Sequence, residues 1–441
     1  MRDHSKHIEL SREQAVTQMI DALPKDFGNK RLEQIALSDS YGRLLAEDIH
    51  AKTDIPNCLT CAMDSIAVHW SDFENLEEGV VPDTTNWIRG RDWEFANTGV
   101  AMPEGFDTAI VIEHVEVSDD EDTVKIKAKP SRQFAGTRSA GSSYKRNDLV
   151  VKAGAIITPD IAAQIASAGY STVLVRPKPR VAFIPTGNEL IPSNLPYSPS
   201  DIEKYAGIGR VFESNSAVVC GKVETWQGEY IPFDIVADDR GCIREAIEKA
   251  CEIADIVFLN AGSSKGSDDW SVEVLEEMGE IICHQTNHGP GHHSSYALVN
   301  DTPIVGISGP SGGASFTLNF YLLPLMKRFY GLNPQPHRIP ARLTEDFPQR
   351  HKIKKADQVS GEERPSEATR PGDEFYSVRF IKLDVSDKGE LLAKPLKGKA
   401  GSAATQHANA YCMVPAGAGS VAPVKGDVIS VELRNVTLGS N

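Results

Sequence analysis

The sequence predicts a multi-domain α/β plus β protein, and three observations carry that expectation. A chain of 441 residues is longer than one hydrophobic core serves, at roughly 100–200 residues per domain. From Arg180 onward, continuous apolar runs alternate with helical stretches, as the strands of a parallel sheet covered on both faces do. On either side of that region, short alternating runs between turns read as small β domains.

Near the N-terminus, Ser11-Arg12-Glu13-Gln14 has the form of a capping box and predicts a helix to about Leu23, before Pro24. Thr158-Pro159-Asp160 is a second helix start: a hydroxyl cap, a proline where no N–H is needed, then an acid at the positive helix end. Gly169 supplies the matching stop. Between these helices, residues 49–145 carry runs such as VEV and VKIKAK around the turn Ser118-Asp119-Asp120-Glu121-Asp122, which suggests a β domain inserted into a helical one. The acidic turn reads as a solvated hairpin tip.

Residues 178–332 fit a doubly wound α/β domain, with strands at 181–184, 256–259 and 304–307 and a helix over Arg240–Ile253. Residues 353–372 are polar, lack large apolar groups and read as a flexible insertion. Strand-like runs at 376–383 and Val428–Leu433 make the C-terminal part a small β domain.

Charge narrows the function. The chain has 46 basic and 61 acidic residues, a net −15, and such a field repels a phosphate backbone, so nucleic acid is not an expected partner. No apolar run approaches the roughly 18 residues of a membrane span, and the first residues lack a signal peptide's apolar stretch. Seven scattered cysteines fit reduced thiols, and the expectation is a cytoplasmic protein.

Three loops at strand ends could carry chemistry. Pro185-Thr186-Gly187-Asn188-Glu189-Leu190 reads as an anion-binding helix start or as a plain turn with Asn188 or Glu189 capping the next helix. In 260–269 glycines permit close backbone approach, hydroxyls can donate to phosphate, and Asp268 and Asp269 can hold Mg²⁺. The stretch 308–315, rich in Gly and Ser, opens a helix and could form an anion nest, although it is no Walker loop. Together they point to one crevice for a phosphorylated or anionic ligand. Outside them, His284, His288, His292 and His293 lie close in sequence, but Gly289-Pro290-Gly291 forbids a regular helix carrying a metal pair. Cys58-Leu59-Thr60-Cys61 is a lone C-x-x-C and reads as an ordinary loop pair.

These residues carry a resemblance. Ala62-Met63-Asp64 with Ala67-Val68 resembles the S-A-M-D-G-Y-A-V motif of the MoeA/gephyrin E-domain family, the molybdopterin molybdenumtransferases. In the same order follow Thr98-Gly99 with Pro103-Glu104-Gly105, then Thr186-Gly187-Asn188-Glu189-Leu190, then Glu213-Ser214-Asn215-Ser216 and Asp238-Asp239. Residues 262–269 resemble the family's G-G-V-S-x-G-x-x-D, and Arg370-Pro371-Gly372 with Phe375 the entry to its last domain.

The resemblance implies an elongated homodimer with a split helical linker domain (7–48 and 146–177), an inserted β domain (49–145), an α/β molybdopterin-binding domain (178–332) and a C-terminal β domain (333–441). It implies adenylylated molybdopterin and molybdate as substrates, with Mg²⁺ assisting insertion of the metal while AMP leaves, and a molybdoenzyme or another cofactor-biosynthesis protein as possible partner. By position, Asp64, Thr98 and Asp269 would be catalytic. Arg138, Glu189, Ser214, Asn215, Asp238, Gly262, Ser264, Ser308 and Gly309 would bind the cofactor, with Mg²⁺ on Glu189, Asp238 and Asp269. A separate metal site would use His288, His292 and His293.

The departures leave alternatives open. Gly289-Pro290-Gly291-His292-His293 stands where the family reads K-P-G-K-P, and Gly306-Ile307-Ser308-Gly309-Pro310-Ser311 where it reads G-L-P-G-N-P. Arg138 remains of R-R-A-G-E-D, but Ser142 and Ser143 replace both acids. Losing two permanent ammonium groups weakens anion capture, because histidine with an ordinary pKa of about 6.5 is mostly neutral at pH 7. The alternatives are therefore a transferase, with the family's specificity or one altered toward tungstate or a nucleotide-extended cofactor, or a non-catalytic cofactor carrier.

Overall fold

A computed structural model describes residues 8–260, 270–307, 309, 311–348, 375–398, 402–417 and 419–438. Gly262, Ser264, Asp269, Ser308 and the polar stretch 353–372 lie outside them. The chain forms two compact units: one takes everything up to Lys30 together with everything from Pro177 onward, and the other is Arg31–Arg176.

In the second unit, Ser65–Val68 sits between Trp93–Ala96 and Thr108–Val111 in an antiparallel sheet. Val115–Val117 and Val124–Ile126 form the expected hairpin around the acidic turn. Ile66, Phe73, Trp93, Ile110 and Ile126 make its core. A second core gathers Leu45, Ile49, Ile165 and Val173 beneath the helix Pro159–Ser167. That helix is built as read, with the Thr158 hydroxyl accepting the Ile161 N–H and Gly169 in the left-handed region at φ +95°. Helical character is otherwise less than expected here. It is the only α-helix among the described residues of this unit, because Glu33–Ala36 pairs with Thr172–Val175 and Ile49–His50 with Leu149–Val151.

The helix Arg12–Ala22 starts at the expected capping box and belongs to the other unit. Arg12 anchors it there through a bidentate pair with Glu432 at 2.6 and 3.0 Å. That unit's central sheet uses β1 (Arg180–Ile184), β2 (Glu229–Pro232), β3 (Ile256–Asn260), β4 (Glu280–Cys283), β5 (Ser295–Val299) and β6 (Thr302–Ile307) in the order β2-β1-β3-β6-β5-β4. The strands β2, β1, β3 and β6 are parallel, as their apolar runs suggest, whereas β5 and β4 add antiparallel. Only the single residues Asn300 and Asp301, both with positive φ, separate β5 from β6, which leaves no room for a crossover helix. The helices Arg240–Ile253 and Ser271–Met278 bury Ile247, Val274 and Leu275 against Val257, Leu259 and Ile304.

The C-terminal strands Tyr376–Val385, Leu391–Pro395, Ile339–Leu343, Val428–Leu433 and Ala410–Pro415 pair in that order, and the last pairs back onto the first. The sheet thus closes into a barrel without free edges, filled by Leu343, Ile381, Ala393, Val414 and Val431.

Candidate functional site

In an open α/β sheet, ligands bind outside the carboxyl ends of the strands where the strand order reverses. Here the chain winds outward from β1 to β2 and then returns past β1 to β3, so the reversal lies between β1 and β3. The residues leaving those two strands are bound to each other. The Thr186 hydroxyl donates to the Asn260 carbonyl at 2.7 Å. The Asn215 side-chain amide donates to Asn260 Oδ1 and to the Gly309 carbonyl, each at 3.0 Å. Four segments distant in sequence therefore meet at one edge of the sheet, as the loop grouping anticipated. Asn215 and Asn260 are both buried, so these bonds form where a missing partner is costly.

Glu213 supports the same edge. Its buried carboxylate accepts the N–H groups of Asn215 at 2.6 Å and Ser216 at 3.0 Å, satisfying orphan donors at the start of the helix Asn215–Thr225. Ser214 is exposed and makes no side-chain cap, so its hydroxyl faces solvent at this helix start.

The loop after β1 differs from both sequence readings. No helix starts there: Leu190–Ile191 pairs with Val211–Phe212, and the following helix, Pro199–Gly207, is capped by Ser198 and Asp201. Asn188 and Glu189 are free of capping duty for that reason. The Asn188 N–H donates to Asp238 Oδ2 at 3.1 Å and the Asp238 N–H returns to Asn188 Oδ1 at 3.3 Å, clamping this loop to the one after β2. Arg210, which sequence reading missed, brings a guanidinium to the Asn188 carbonyl at 2.5 Å. Gly187 has φ +149°, and a Cβ there would lie 2.7 Å from Glu189 Oε2, so the exposed Glu189 carboxylate rests on bare backbone. Asp239 caps the helix Arg240–Ile253 through the Cys242 N–H at 3.0 Å, which leaves Asp238 as the member of the pair turned to the loop.

The other unit holds its own group. Pairing of Ser65 with Ala96 sets Asp64 beside Thr98, and both the Thr98 N–H and its hydroxyl donate to Asp64 Oδ1 at 2.9 Å. These donors, the backbone one first, hold the Asp64 carboxyl below the usual carboxylate range. Arg138 pairs in a ladder with Thr60, and the Ala62 N–H donates to the Gly136 carbonyl, so Arg138 stands at the same exposed corner. Cys61 is buried with its thiol on the Met63 carbonyl at 2.9 Å, and both Cys58 and Cys61 are free thiols.

The histidines do not form the metal site entertained for them. Among the described residues no three His, Cys, Asp or Glu side chains are grouped to hold a metal ion. His288 is fully buried, with Nε2 2.8 Å from the Tyr321 hydroxyl and Nδ1 3.1 Å from the Pro290 carbonyl, so both ring nitrogens are occupied. His292 turns Nδ1 to the Thr286 carbonyl. His284 lies between Glu276 at 2.8 Å and the Ile8 N–H at 3.0 Å. His288 and Gly289 add to Tyr376 and Ser377 of the barrel, which commits His288 to the core, and although the His292 and His293 rings lie 5.0 Å apart, His292 is already turned to a backbone carbonyl.

Comparison with known proteins agrees with this architecture. Residues 10–169 match the family model described as "MoeA N-terminal region (domain I and II)", and residues 182–328 the model described as "Probable molybdopterin binding domain". The chain is 26% identical over 404 residues to the molybdopterin molybdenumtransferase of Bacillus subtilis, covering 87% of this chain and 86% of that protein. It is 27% identical over 329 residues to the Staphylococcus aureus molybdopterin molybdenumtransferase, covering 71% and 75%. The crystal structure of a molybdopterin biosynthesis MoeA protein from Pyrococcus horikoshii superposes with a TM-score of 0.68 at 22% identity, over 97% of this chain and 99% of that one. This last likeness bears on the fold alone.

Proposed function

The chain belongs to the MoeA family, and from that premise we propose that it acts in molybdenum cofactor biosynthesis as a molybdopterin molybdenumtransferase, taking adenylylated molybdopterin and molybdate and releasing AMP. The observation that carries this reading is the Thr186–Asn260–Asn215–Gly309 network at the strand-order reversal, inside the segment that matches the molybdopterin-binding model.

In this reading the network shapes the edge against which the pterin phosphate rests. Arg210 supplies permanent positive charge at the loop after β1, and Arg138 supplies it beside Asp64 in the other unit. Glu189 and Asp238, with Asp269, would hold Mg²⁺. Their oxygen-only chemistry suits that hard cation, and the mutual clamp of Asn188 and Asp238 fixes one of the carboxylates in advance. Bound Mg²⁺ would neutralise charge on the departing phosphate of AMP. Asp64, kept ionised and aimed by two Thr98 donors, offers a fixed acceptor for a proton. A homodimer in the cytoplasm is the working form that the family resemblance implies.

The carrier reading is favoured by one observation: in the stretch replacing K-P-G-K-P, Gly289 carries no side chain and His292 is turned to the Thr286 carbonyl, so neither adds a permanent cation. One assay separates the two. Purified full-length protein with adenylylated molybdopterin, Mg²⁺ and molybdate is expected to release about one AMP per bound cofactor. Cofactor retained intact would reject the transferase and leave the carrier; a parallel reaction with tungstate reads oxyanion choice.

A further inference from the structure

Among the described residues, six other than glycine hold a positive φ. Five of them are polar, Glu121, Asn147, Gln227, Asn300 and Asp301, and the sixth is Phe134 at φ +62°. A bulky ring in the left-handed region is costly and marks a position held there for a reason. Burial offsets only part of that cost, since Phe134 is 49% exposed. The turn that carries it is nonetheless firmly held. The Phe134 N–H donates to the Thr108 hydroxyl at 3.2 Å, and the Phe134 carbonyl accepts the Thr137 hydroxyl at 2.8 Å. Gly136, at φ +68°, lies so close to the strand Thr108–Val111 that a Cβ on it would come within 2.7 Å of the Ala109 carbonyl oxygen. The ring is therefore presented to solvent from a fixed backbone.

Its neighbours are those of a small-molecule subsite. Phe134 and Asp64 each stand two residues from the bond that the Ala62 N–H makes to the Gly136 carbonyl at 2.8 Å. Met63 and Val100, 53% and 54% exposed, adjoin the same backbone, because Met63 follows Ala62 and the Val100 carbonyl accepts the Cys61 N–H. The Thr98 donors occupy Asp64 Oδ1, and among the described residues Asp64 Oδ2 accepts nothing. Arg138, exposed and paired in the ladder with Thr60, completes the corner. Exposed apolar side chains with one acceptor and one donor beside them suit a flat ring with a polar edge.

We propose that Phe134 is the stacking platform for a fused heteroaromatic ring of the substrate, with Asp64 and Arg138 supplying an acceptor and a donor for the ring's edge. The inference rests on adenylylated molybdopterin being the ligand. That ligand carries two such rings, adenine and pterin, and each joins a flat face to amino groups and ring acceptors. An aromatic fixed in advance takes such a face at small entropic cost.

Calorimetric titration of the full chain with adenylylated molybdopterin, molybdopterin, AMP and ribose 5-phosphate tests this. Phe134→Gly suits the left-handed backbone while it removes the ring, so its Tm is expected within about 2 °C of the wild type. Its Kd for the adduct should rise about tenfold or more, the usual effect of losing one aromatic from under a base. Phe134→Tyr should keep wild-type affinity. A matching loss for AMP assigns the platform to adenine, and one for molybdopterin assigns it to the pterin; ribose 5-phosphate, which has no such ring, should show no difference. Should Phe134→Gly melt early, Phe134→Asn, which also accepts the left-handed region, takes its place. An unchanged Kd for the adduct, or an equal loss for ribose 5-phosphate, overturns the proposal and leaves the transferase standing. A wild type that binds no adduct overturns both, whereas adduct bound without AMP release removes the transferase alone.

Discussion

Asp64 is exposed, yet its carboxyl titrates low because the Thr98 N–H and then the Thr98 hydroxyl donate to the same oxygen. If that ionised group works on the substrate, Asp64→Asn should lower kcat/KM for AMP release roughly tenfold or more. An exposed substitution of this kind shifts Tm by no more than about 2 °C, so steady-state kinetics and a melting curve on the same preparation separate the roles. Equal loss of fold and activity would make Asp64 structural.

His288 gives a second expectation at this scale. Burial, then the nearby Arg12 charge, lowers its imidazole from an ordinary 6.5 to about 3. The unfolded chain then binds a proton that the folded chain refuses, so stability is lost as pH falls from about 6.5 toward 3. Urea midpoints between pH 7 and 4 should drop for the wild type and drop less for His288→Gln; parallel slopes would show that His288 is not responsible. Asp64 and Thr98 could be named from the sequence because their motif is contiguous. Arg210 could not, since an Arg after a helix becomes informative only once the strand order is known, and Asn260, though it opened a candidate loop, had no role until that order showed its partners.

The element that concentrates the site is the helix Asn215–Thr225, whose first residue is 2% exposed and donates to two loops. Asn215→Ala leaves the Asn260 and Gly309 acceptors without that donor, and equilibrium unfolding should show a loss of about 1–3 kcal/mol. Asn215→Asp, which keeps the shape but replaces a donor with an acceptor, should be no better; a neutral result for both would mean that the loops hold without this link. The apolar runs of β1, β3 and β6 were legible, as were the helix Arg240–Ile253 and both N-caps, because burial on two faces and capping chemistry act locally. The direction of β5 and β4 was not, because an apolar run has no polarity. The loop after β1 was misread for a related reason: its partners, Asp238 and Val211–Phe212, are remote in sequence.

At the scale of the whole molecule, the family and an α/β domain followed by a β domain were legible from motifs spread along the chain, whereas the closure of that β domain into a barrel and the packing of the chain's two ends were not. The helix Arg12–Ala22 joins the α/β unit through Arg12 and Glu432, partners that nothing in the local sequence connects. The same holds for His288, fixed in the core by pairing with a barrel strand almost ninety residues away. The central claim is that four remote segments build one anion-receiving edge at the strand-order reversal. A crystal structure with adenylylated molybdopterin tests it most directly. The expected result places the ligand's phosphates at the carboxyl ends of β1 and β3, beside Thr186, Asn260 and Gly309. Ligand bound at the opposite edge of the sheet or on the barrel, or no ligand at saturating concentration, would contradict it.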